Sequence, residues 1–267
     1  MRFYLQLLIV LSTSTAALAQ SIPMDSLIPA RDTTTTIFDR RGAIKNYRPS
    51  VAGIVIPAAM VGYGFIALKS SMLQSLNHST RAELREDHPT FSTKVDNYLK
   101  SAPALAVYGL NLVGIHGKHN FRDRTMILGI SALLMSGSVG MLKSSTHILR
   151  PDGSTYNSFP SGHTSTAFMG AQFMWEEYKD VSPWYGIAGY AVATTTGVLR
   201  LYNNRHWVSD VVTGAGIGML STKAAYWLYP KLQRAFIPKS AMMNAVILPT
   251  YNVEWKTAGI SLLFMPH

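Results

Sequence analysis

The sequence predicts an all-α protein: a bundle of six helices, expected to be membrane-embedded, followed by a short C-terminal β-hairpin. Three observations support this fold class. Hydrophobic residues make up 48% of the 267-residue chain and charged residues only 14%, against roughly 25% charged residues in ordinary soluble domains. Six apolar segments rich in Gly, Ala, Ser and Met alternate with charged loops, which is typical of helices packed closely in or near lipid. The residues after Pro230 are instead enriched in Tyr, Val and Ile, as strands are.

The N-terminal residues are typical of a protein sent to the cell envelope. A positive charge at Arg2 precedes an apolar stretch that ends in Ala-Leu-Ala before Gln20, which is the layout of a secretory signal peptide. We therefore expect residues 1–19 to be a signal peptide, with an uncleaved anchor helix as the alternative. Residues 20–50 are polar and basic, and they are expected to form an N-terminal arm.

The apolar segments define a helical domain over residues 51–230. A helix of 18 residues is about 27 Å long, barely the thickness of a bilayer's hydrocarbon core, so the buried helices of a soluble bundle remain an alternative. Residues 231–267 are expected to be a C-terminal extension with two short strands, NAVILPTYNVEW and TAGISLLFM. The six predicted helices are Val51–Leu68, Pro103–Ile115, Met126–Leu142, Thr164–Trp175, Trp184–Leu199 and Val211–Leu228.

Composition excludes several classes of site. The chain has no cysteine, so disulfides, zinc–cysteine sites and a cysteine nucleophile are excluded. Its net charge is +10, yet no basic run with interleaved aromatics is present, so nucleic acid is not an expected partner. Anionic lipid headgroups or a phosphorylated substrate account for the charge more easily. No carboxylate cluster indicates a metal, and no cofactor is expected.

The first of three polar clusters follows the third predicted helix, in the sequence KSSTHILRP. Lys143 and Arg150 are seven residues apart, close to two helical turns. Both cations would lie on one face if the helix beginning at Met126 continued through them. Taken alone, the pair is also typical of an ordinary basic helix end.

The second cluster is PSGH, residues 160–163, directly before an apolar helix. Ser161 can cap that helix, and Gly162 lets the backbone come close to a ligand. The free N–H groups of a helix N-terminus bind anions, and His163 beside them can exchange a proton near neutral pH. A plain turn that caps a helix is the alternative.

The third cluster is RLYNNRHWVSD. His206 and Asp210 are four residues apart, so on a helix starting near Arg205 they would face each other. A carboxylate bonded to one imidazole nitrogen leaves the other nitrogen as nucleophile or base. Arg200 is expected to end the preceding helix, with Tyr-Asn-Asn turning the chain. For this spacing alone, a solvated helix pair is the alternative.

Together the clusters form a set that can hold a tetrahedral dianion and transfer it to imidazole. They supply three cations, a Ser-Gly helix start and two histidines, one of them with an aspartate. In an up-and-down bundle their positions fall at the same end. The sequence therefore predicts one site at that end.

The three clusters resemble the three-part signature of the type 2 phosphatidic acid phosphatase superfamily, which also contains bacterial class A acid phosphatases and vanadium haloperoxidases. The resemblance covers about residues 50–230. Motif three usually opens Ser-Arg, whereas Leu199 precedes Arg200 here; that serine is not catalytic in the family scheme. The matching residues are Lys143-x6-Arg150-Pro151, Pro160-Ser161-Gly162-His163 and Arg200-x5-His206-x3-Asp210.

The resemblance implies a metal-independent phosphatase that works through a phosphohistidine. His206 would attack the phosphorus, Asp210 would orient it, and His163 would protonate the leaving oxygen. The residues implied to hold the substrate phosphate are Lys143, Arg150, Ser161, Gly162 and Arg200.

The expected substrate is a lipid phosphate, because the site would open at the rim of an apolar bundle in the envelope. Phosphatidic acid, phosphatidylglycerophosphate, a polyprenyl diphosphate and lipid A phosphate are the candidates. Basic loops after helices two and six, with Lys118, Arg122, Arg124, Lys231 and Arg234, would be cytoplasmic, and the site would face the periplasm.

Six full spans after a cleaved signal peptide would instead place the site inside, so one segment is expected not to span the membrane, 103–115 being the suspect. The alternatives are a soluble periplasmic acid phosphatase, a vanadate-dependent haloperoxidase and a non-enzymatic membrane scaffold.

Overall fold

The structure, a computed structural model, describes residues 47–236, 244–252 and 257–265. The predicted signal peptide, residues 1–19, and the predicted arm as far as residue 46 lie outside the described residues. Strands β1 (Asn244–Asn252) and β2 (Thr257–Met265) pair antiparallel. The eight helices within the described ranges are α1 Val51–Ala67, α2 Ser71–Asp87, α3 Asp96–Leu99, α4 Ala102–Leu112, α5 Phe121–Thr146, α6 Gly162–Tyr178, α7 Pro183–Tyr202 and α8 Val208–Phe236.

The predicted count of six helices is wrong, because α2 and α3 lie in a segment that the sequence presents as a charged loop. In α2, SMLQSLNHSTRAELRED, Asn77 is the one buried residue, and the sequence has no apolar run. Its formation rests on local signals instead. The side chain of Ser70 caps the helix by accepting a hydrogen bond from the N–H of Leu73. Most residues of α2 are also good helix formers. A search for apolar segments does not detect a helix of this kind.

The chain turns sharply between α1 and α2, whose axes differ by 94°. This turn directs α2 across the start of α8. There Asn77 donates to the Ser209 hydroxyl (2.9 Å) and accepts from the Ser209 N–H (3.1 Å). Arg81 donates to the side chain of Asn204 in the turn between α7 and α8 (3.0 Å). The polar segment between α1 and α4, residues 68–101, is therefore bonded to the region that carries motif three.

Helix α6 lies at the centre of the bundle, with 12 of its 17 residues buried. It packs most extensively on α7 and α8 and also contacts α4 and α5. Small residues allow the close approach of α6 and α8. At Gly218, a Cβ atom would stand 2.3 Å from the carbonyl oxygen of Ser165 and 2.8 Å from the N–H of Met169. The position of α6 is therefore set by backbone contact with α8.

The C-terminal end of α6 is fixed by a buried polar network around Glu177. Its carboxylate lies 2.7 Å from His119 Nδ1, accepts from Arg124 Nε at 3.2 Å and accepts from the Tyr226 hydroxyl at 2.6 Å. Arg124 is only 1% exposed. It is therefore half of a core ion pair rather than a loop charge of the kind that governs membrane orientation.

One described helix, α5, is long and apolar enough to cross a membrane, and α1 with α2 meets the same criteria only as a bent pair. Only 22% of the apolar stretch of α5 is buried. Leu133 and Met141 on this helix are 74% and 70% exposed. Most of the apolar stretch of α5 therefore faces away from the protein core, unlike that of a buried helix in a soluble bundle.

Candidate active site

The structure brings the three motifs to one end of the bundle. Lys143 lies in the last turn of α5, His163 in the first turn of α6 and Arg200 in the last turn of α7. The N–H of Ser161 donates to the carbonyl oxygen of Asp210 (3.0 Å), which joins motif two to motif three.

His206 and Asp210 meet, but not on one helix. The predicted helix start near Arg205 is wrong, since α8 begins at Val208 and His206 lies in the preceding loop. Asp210 is in the first turn and its Oδ2 accepts from the N–H of Trp207 (2.9 Å), as an acidic capping residue does. The loop still places His206 Nδ1 3.4 Å from the same Oδ2, and His206 is 4% exposed.

Lys143 and Arg150 also meet by a route other than the predicted one. Helix α5 ends at Thr146, because His147 adopts the left-handed conformation (φ 49°), so the helix does not continue to Arg150. The loop then folds back, and both cations reach Asn157. Lys143 donates to its backbone carbonyl, and Arg150 Nε donates to its side-chain oxygen (2.9 Å).

Motif two forms the predicted helix cap. The buried Ser161 side chain accepts from the N–H of Thr164, and Gly162 is the first residue of α6. His163 is partly buried at the mouth of the helix, and its Nε2 lies 2.7 Å from the side-chain oxygen of Asn97.

Arg200 ends α7 as predicted, and the two asparagines after Tyr202 turn the chain. Its guanidinium donates to Asp96 Oδ2 (2.5 Å), and both side chains are buried. Asp96 and Asn97 are thus two members of the site that sequence reasoning missed. They lie in the polar segment, far along the chain from the motifs, and no local pattern marks them.

Two further missed residues adjoin motif two. Asn157 accepts hydrogen bonds from both motif-one cations. The buried Ser158 donates to Asp210 Oδ2 (2.5 Å). Their position directly before Phe159 and PSGH was a usable signal, because binding and catalytic residues are often found on loops.

Burial and the surrounding cations keep both histidines neutral at pH 7. Burial lowers the pKa of His206 to about 4; the neighbouring carboxylate of Asp210 opposes this, and Arg200 and Lys143 add to it. The pKa of His163 is also lowered to about 4, by burial first and then by Arg200 and Lys100, with Asp96 opposing. The site is therefore positively charged through its arginines and lysines alone.

Four buried polar atoms in the described part of the chain have no hydrogen-bond partner, and all belong to this end of the bundle. Buried polar atoms without partners are rare and are commonly explained by function. Within the described ranges, no three His, Asp or Glu side chains come together as a metal site. The unpartnered atoms are Asp96 Oδ1, Arg200 Nε, His206 Nδ1 and Asp210 Oδ1.

Comparison with known proteins matches the same region. Residues 124–234 match the family model described as PAP2 superfamily. The chain is 42% identical over 140 residues to a lipid A 1-phosphatase of Porphyromonas gingivalis, covering 52% of this chain and 32% of that protein. It is 33% identical over 76 residues to the bacitracin transport permease protein BcrC of Bacillus licheniformis, covering 28% of this chain and 36% of that one. The chain thus spans about a third of the length of these curated relatives.

Two solved structures are also similar to the chain. The crystal structure of Aquifex aeolicus LpxE matches with a TM-score of 0.39 and 19% identity, over 54% of this chain and 92% of that one. A transmembrane PAP2-type phosphatidylglycerolphosphate phosphatase from Bacillus subtilis matches with a TM-score of 0.40 and 17% identity, over 69% and 98%. The family match contains all three motifs, so the resemblance inferred from them is confirmed: residues 124–234 are similar to the PAP2 superfamily.

Proposed function

We propose that the protein is a metal-independent phosphatase that removes a phosphate group from a phosphorylated lipid through a phosphohistidine intermediate. The observation that carries this proposal is the buried pair of His206 and Asp210. It lies at the same end of the bundle as the cations Lys143, Arg150 and Arg200. A neutral, oriented imidazole among fixed cations is suited to attack on a phosphate dianion.

In this proposal, the contacts of His206 suggest which of its atoms reacts. Nδ1 of His206 faces Asp210, so Nε2 is the nitrogen that forms the bond to phosphorus. The bond from phosphorus to the leaving oxygen breaks, and His163 gives that oxygen a proton. Water then attacks the phosphohistidine and passes a proton to His163, which releases inorganic phosphate and restores both histidines.

The cations, the Ser161 hydroxyl and the first N–H groups of α6 would hold the non-bridging oxygens and stabilise charge in the transition state.

The lowered pKa of His206 fits its role as nucleophile, and the role of His163 depends on the bound substrate. A nucleophile must be unprotonated, and His206 with a pKa of about 4 is unprotonated at pH 7. A general acid must be protonated, but burial and the cations Arg200 and Lys100 lower the pKa of His163 and so disfavour its protonated form. A bound phosphate dianion neutralises their effect and raises the pKa of His163. The acid therefore becomes charged when substrate is present.

Exposed apolar side chains support a lipid substrate and a membrane location. Leu112 of α4 is 88% exposed, and Trp184 at the start of α7 is 73% exposed, in addition to the outward face of α5. Such side chains are costly in water and favourable in lipid. Lys118 in the loop before α5 and Arg122 in the first turn of α5 lie at the end opposite the site, which favours a periplasmic active site.

Lipid A phosphate is the first substrate to test, because a 42% identical relative is a lipid A 1-phosphatase. Phosphatidic acid, phosphatidylglycerophosphate and a polyprenyl diphosphate complete the panel.

The test measures phosphate release from these lipids and from p-nitrophenyl phosphate by purified protein. We expect His206→Ala to abolish turnover with the fold retained, and His116→Ala, an exposed histidine at the opposite end, to act as wild type. Vanadate, a mimic of the trigonal-bipyramidal transition state, should inhibit, and EDTA should not. Near-normal hydrolysis by His206→Ala would refute the phosphohistidine.

Fractionation separates the membrane proposal from a soluble periplasmic phosphatase. Retention of the protein in membranes until detergent is added supports lipid embedding, whereas release by osmotic shock supports the soluble form. Bromide oxidation with added vanadate tests for haloperoxidase activity, which we do not expect.

A further inference from the structure

The short helix α3 contacts the candidate site through Asn97, which no motif marks. We propose that Asn97 is a positioning residue that holds Nε2 of His163 and leaves Nδ1 as the nitrogen that exchanges the proton. The destination of that proton rests on the proposed phosphatase function. The hydrogen bond between Asn97 and the His163 ring is independent of that function.

The argument begins with the two atoms in contact. Asn97 Oδ1 lies 2.7 Å from His163 Nε2. A side-chain carbonyl oxygen only accepts hydrogen bonds, so Nε2 must carry the hydrogen. In the neutral ring, Nδ1 then has the free lone pair, and it makes no hydrogen bond to the described residues. A proton taken up or released by His163 therefore moves through Nδ1.

Asn97 is itself held in place by contacts that end at motif three. Its neighbour Asp96 is paired with Arg200 (2.5 Å). Just before α3, the backbone of Thr93 is bonded twice by one side chain: its N–H donates to Asn203 Oδ1 (2.8 Å), and its carbonyl accepts from Asn203 Nδ2 (3.0 Å). These contacts fix α3 on the end of α7. The position of the Asn97 acceptor is thus set by the end of α7, which also carries the proposed phosphate-binding cation Arg200.

The charges that face His163 explain why a neutral acceptor suits this position. Arg200 of α7, Lys100 after α3 and His206, if charged, disfavour a protonated His163, while Asp96 of α3 favours it. An amide oxygen binds the imidazolium more strongly than the neutral ring, so Asn97 partly offsets the cations. A carboxylate at position 97 would offset them further and keep the ring protonated.

Two variants of Asn97 test the proposal because they predict opposite shifts. Asn97→Leu removes the acceptor at similar size and should lower the pKa of His163. Asn97→Asp replaces the acceptor with a charged one and should raise it. Tyr98→Phe, a change at the exposed neighbour on α3, is the matched control and should leave the pKa unchanged. A role in packing alone would not reverse the direction of the shift between Leu and Asp.

The first measurement is independent of activity: nitrogen NMR of the full chain with labelled imidazole rings. The chain has eight histidines, and His163→Gln assigns the signal. We expect wild-type His163 to be the Nε2–H tautomer and the two variants to shift its titration in opposite directions. The Nδ1–H tautomer in wild type, or shifts of Leu and Asp in the same direction, would overturn the proposal.

The second measurement is the pH dependence of kcat for phosphate release, which reports the pKa values of the enzyme–substrate complex. Since the acid must be protonated, activity falls as pH rises through the pKa of His163. The pH at which activity falls should be about one unit lower in Asn97→Leu and about one unit higher in Asn97→Asp. Absence of hydrolysis in wild type would refute the proposed function, and the NMR result would still decide the role of Asn97. Hydrolysis with an unchanged pH dependence in both variants would refute that role.

Discussion

Gly218→Ala is the substitution that most directly tests how the bundle aligns the site. A Cβ atom at this position of α8 would stand 2.3 Å from the carbonyl oxygen of Ser165, whereas ordinary contact begins at 3.4 Å. The opposing atoms are backbone and cannot rotate away, so α6 and α8 must separate locally by about 1 Å. Ser165 is one turn from Ser161, so the separation moves the start of α6 away from His206.

We expect a loss in kcat/KM of about 100-fold, the typical cost of a displacement of this size at reacting groups. Overpacking should also lower the free energy of unfolding by about 1–3 kcal/mol. Phosphate release and thermal unfolding in detergent measure the two effects. Gly137→Ala on the exposed face of α5, where a Cβ atom meets nothing within 4 Å, is the control and should be neutral or slightly stabilising. Wild-type activity and stability in Gly218→Ala would refute the reasoning.

Three further outcomes follow from the contacts described above. Glu177→Ala should destabilise the protein by about 3–5 kcal/mol in chemical denaturation, because it leaves Arg124 buried without its counter-ion; Glu177→Gln, which keeps the shape, should cost less. Ser158→Ala should lower kcat roughly tenfold by removing a donor to Asp210, with KM little changed; an unchanged kcat would contradict this role.

In pH–rate measurements, kcat/KM should fall as pH falls through about 4, the pKa of His206, rather than through its ordinary value of 6.5. Because the unfolded chain binds a proton at His206 in that interval and the folded protein does not, the free energy of unfolding should also fall from pH 6.5 to pH 4.

The sequence was sufficient to locate the motifs and most of the helices, because both depend on local patterns. Apolar runs predict α1 and α4 to α8 to within a few residues at most boundaries. The cap at Ser161 and the end of α7 near Arg200 follow from residue type and order. The exact limits of α5 and α8 did not follow, since His147 and the Asp210 cap decide them.

What the sequence could not supply is contact between distant polar residues. Asp96 and Arg200 are 104 residues apart, and Asn77 and Ser209 are 132 apart. Hydrogen-bonded pairs of this kind have no periodicity, and a polar helix such as α2 resembles a loop when only hydrophobicity is considered. The polar segment is therefore identified as part of the candidate site only from the structure.

The buried network around Glu177 has a consequence for the opposite end of α6. Fourteen residues separate Glu177 from His163, about 21 Å along the helix axis. Helix α6 is held at Glu177 by three side chains and at Ser161 by the backbone of Asp210, and these contacts oppose rotation or sliding of the helix. A small rotation at one end would appear at the other as a misdirected imidazole. In the proposed reaction, this distant ion pair would therefore help to align His163, although it takes no part in the chemistry.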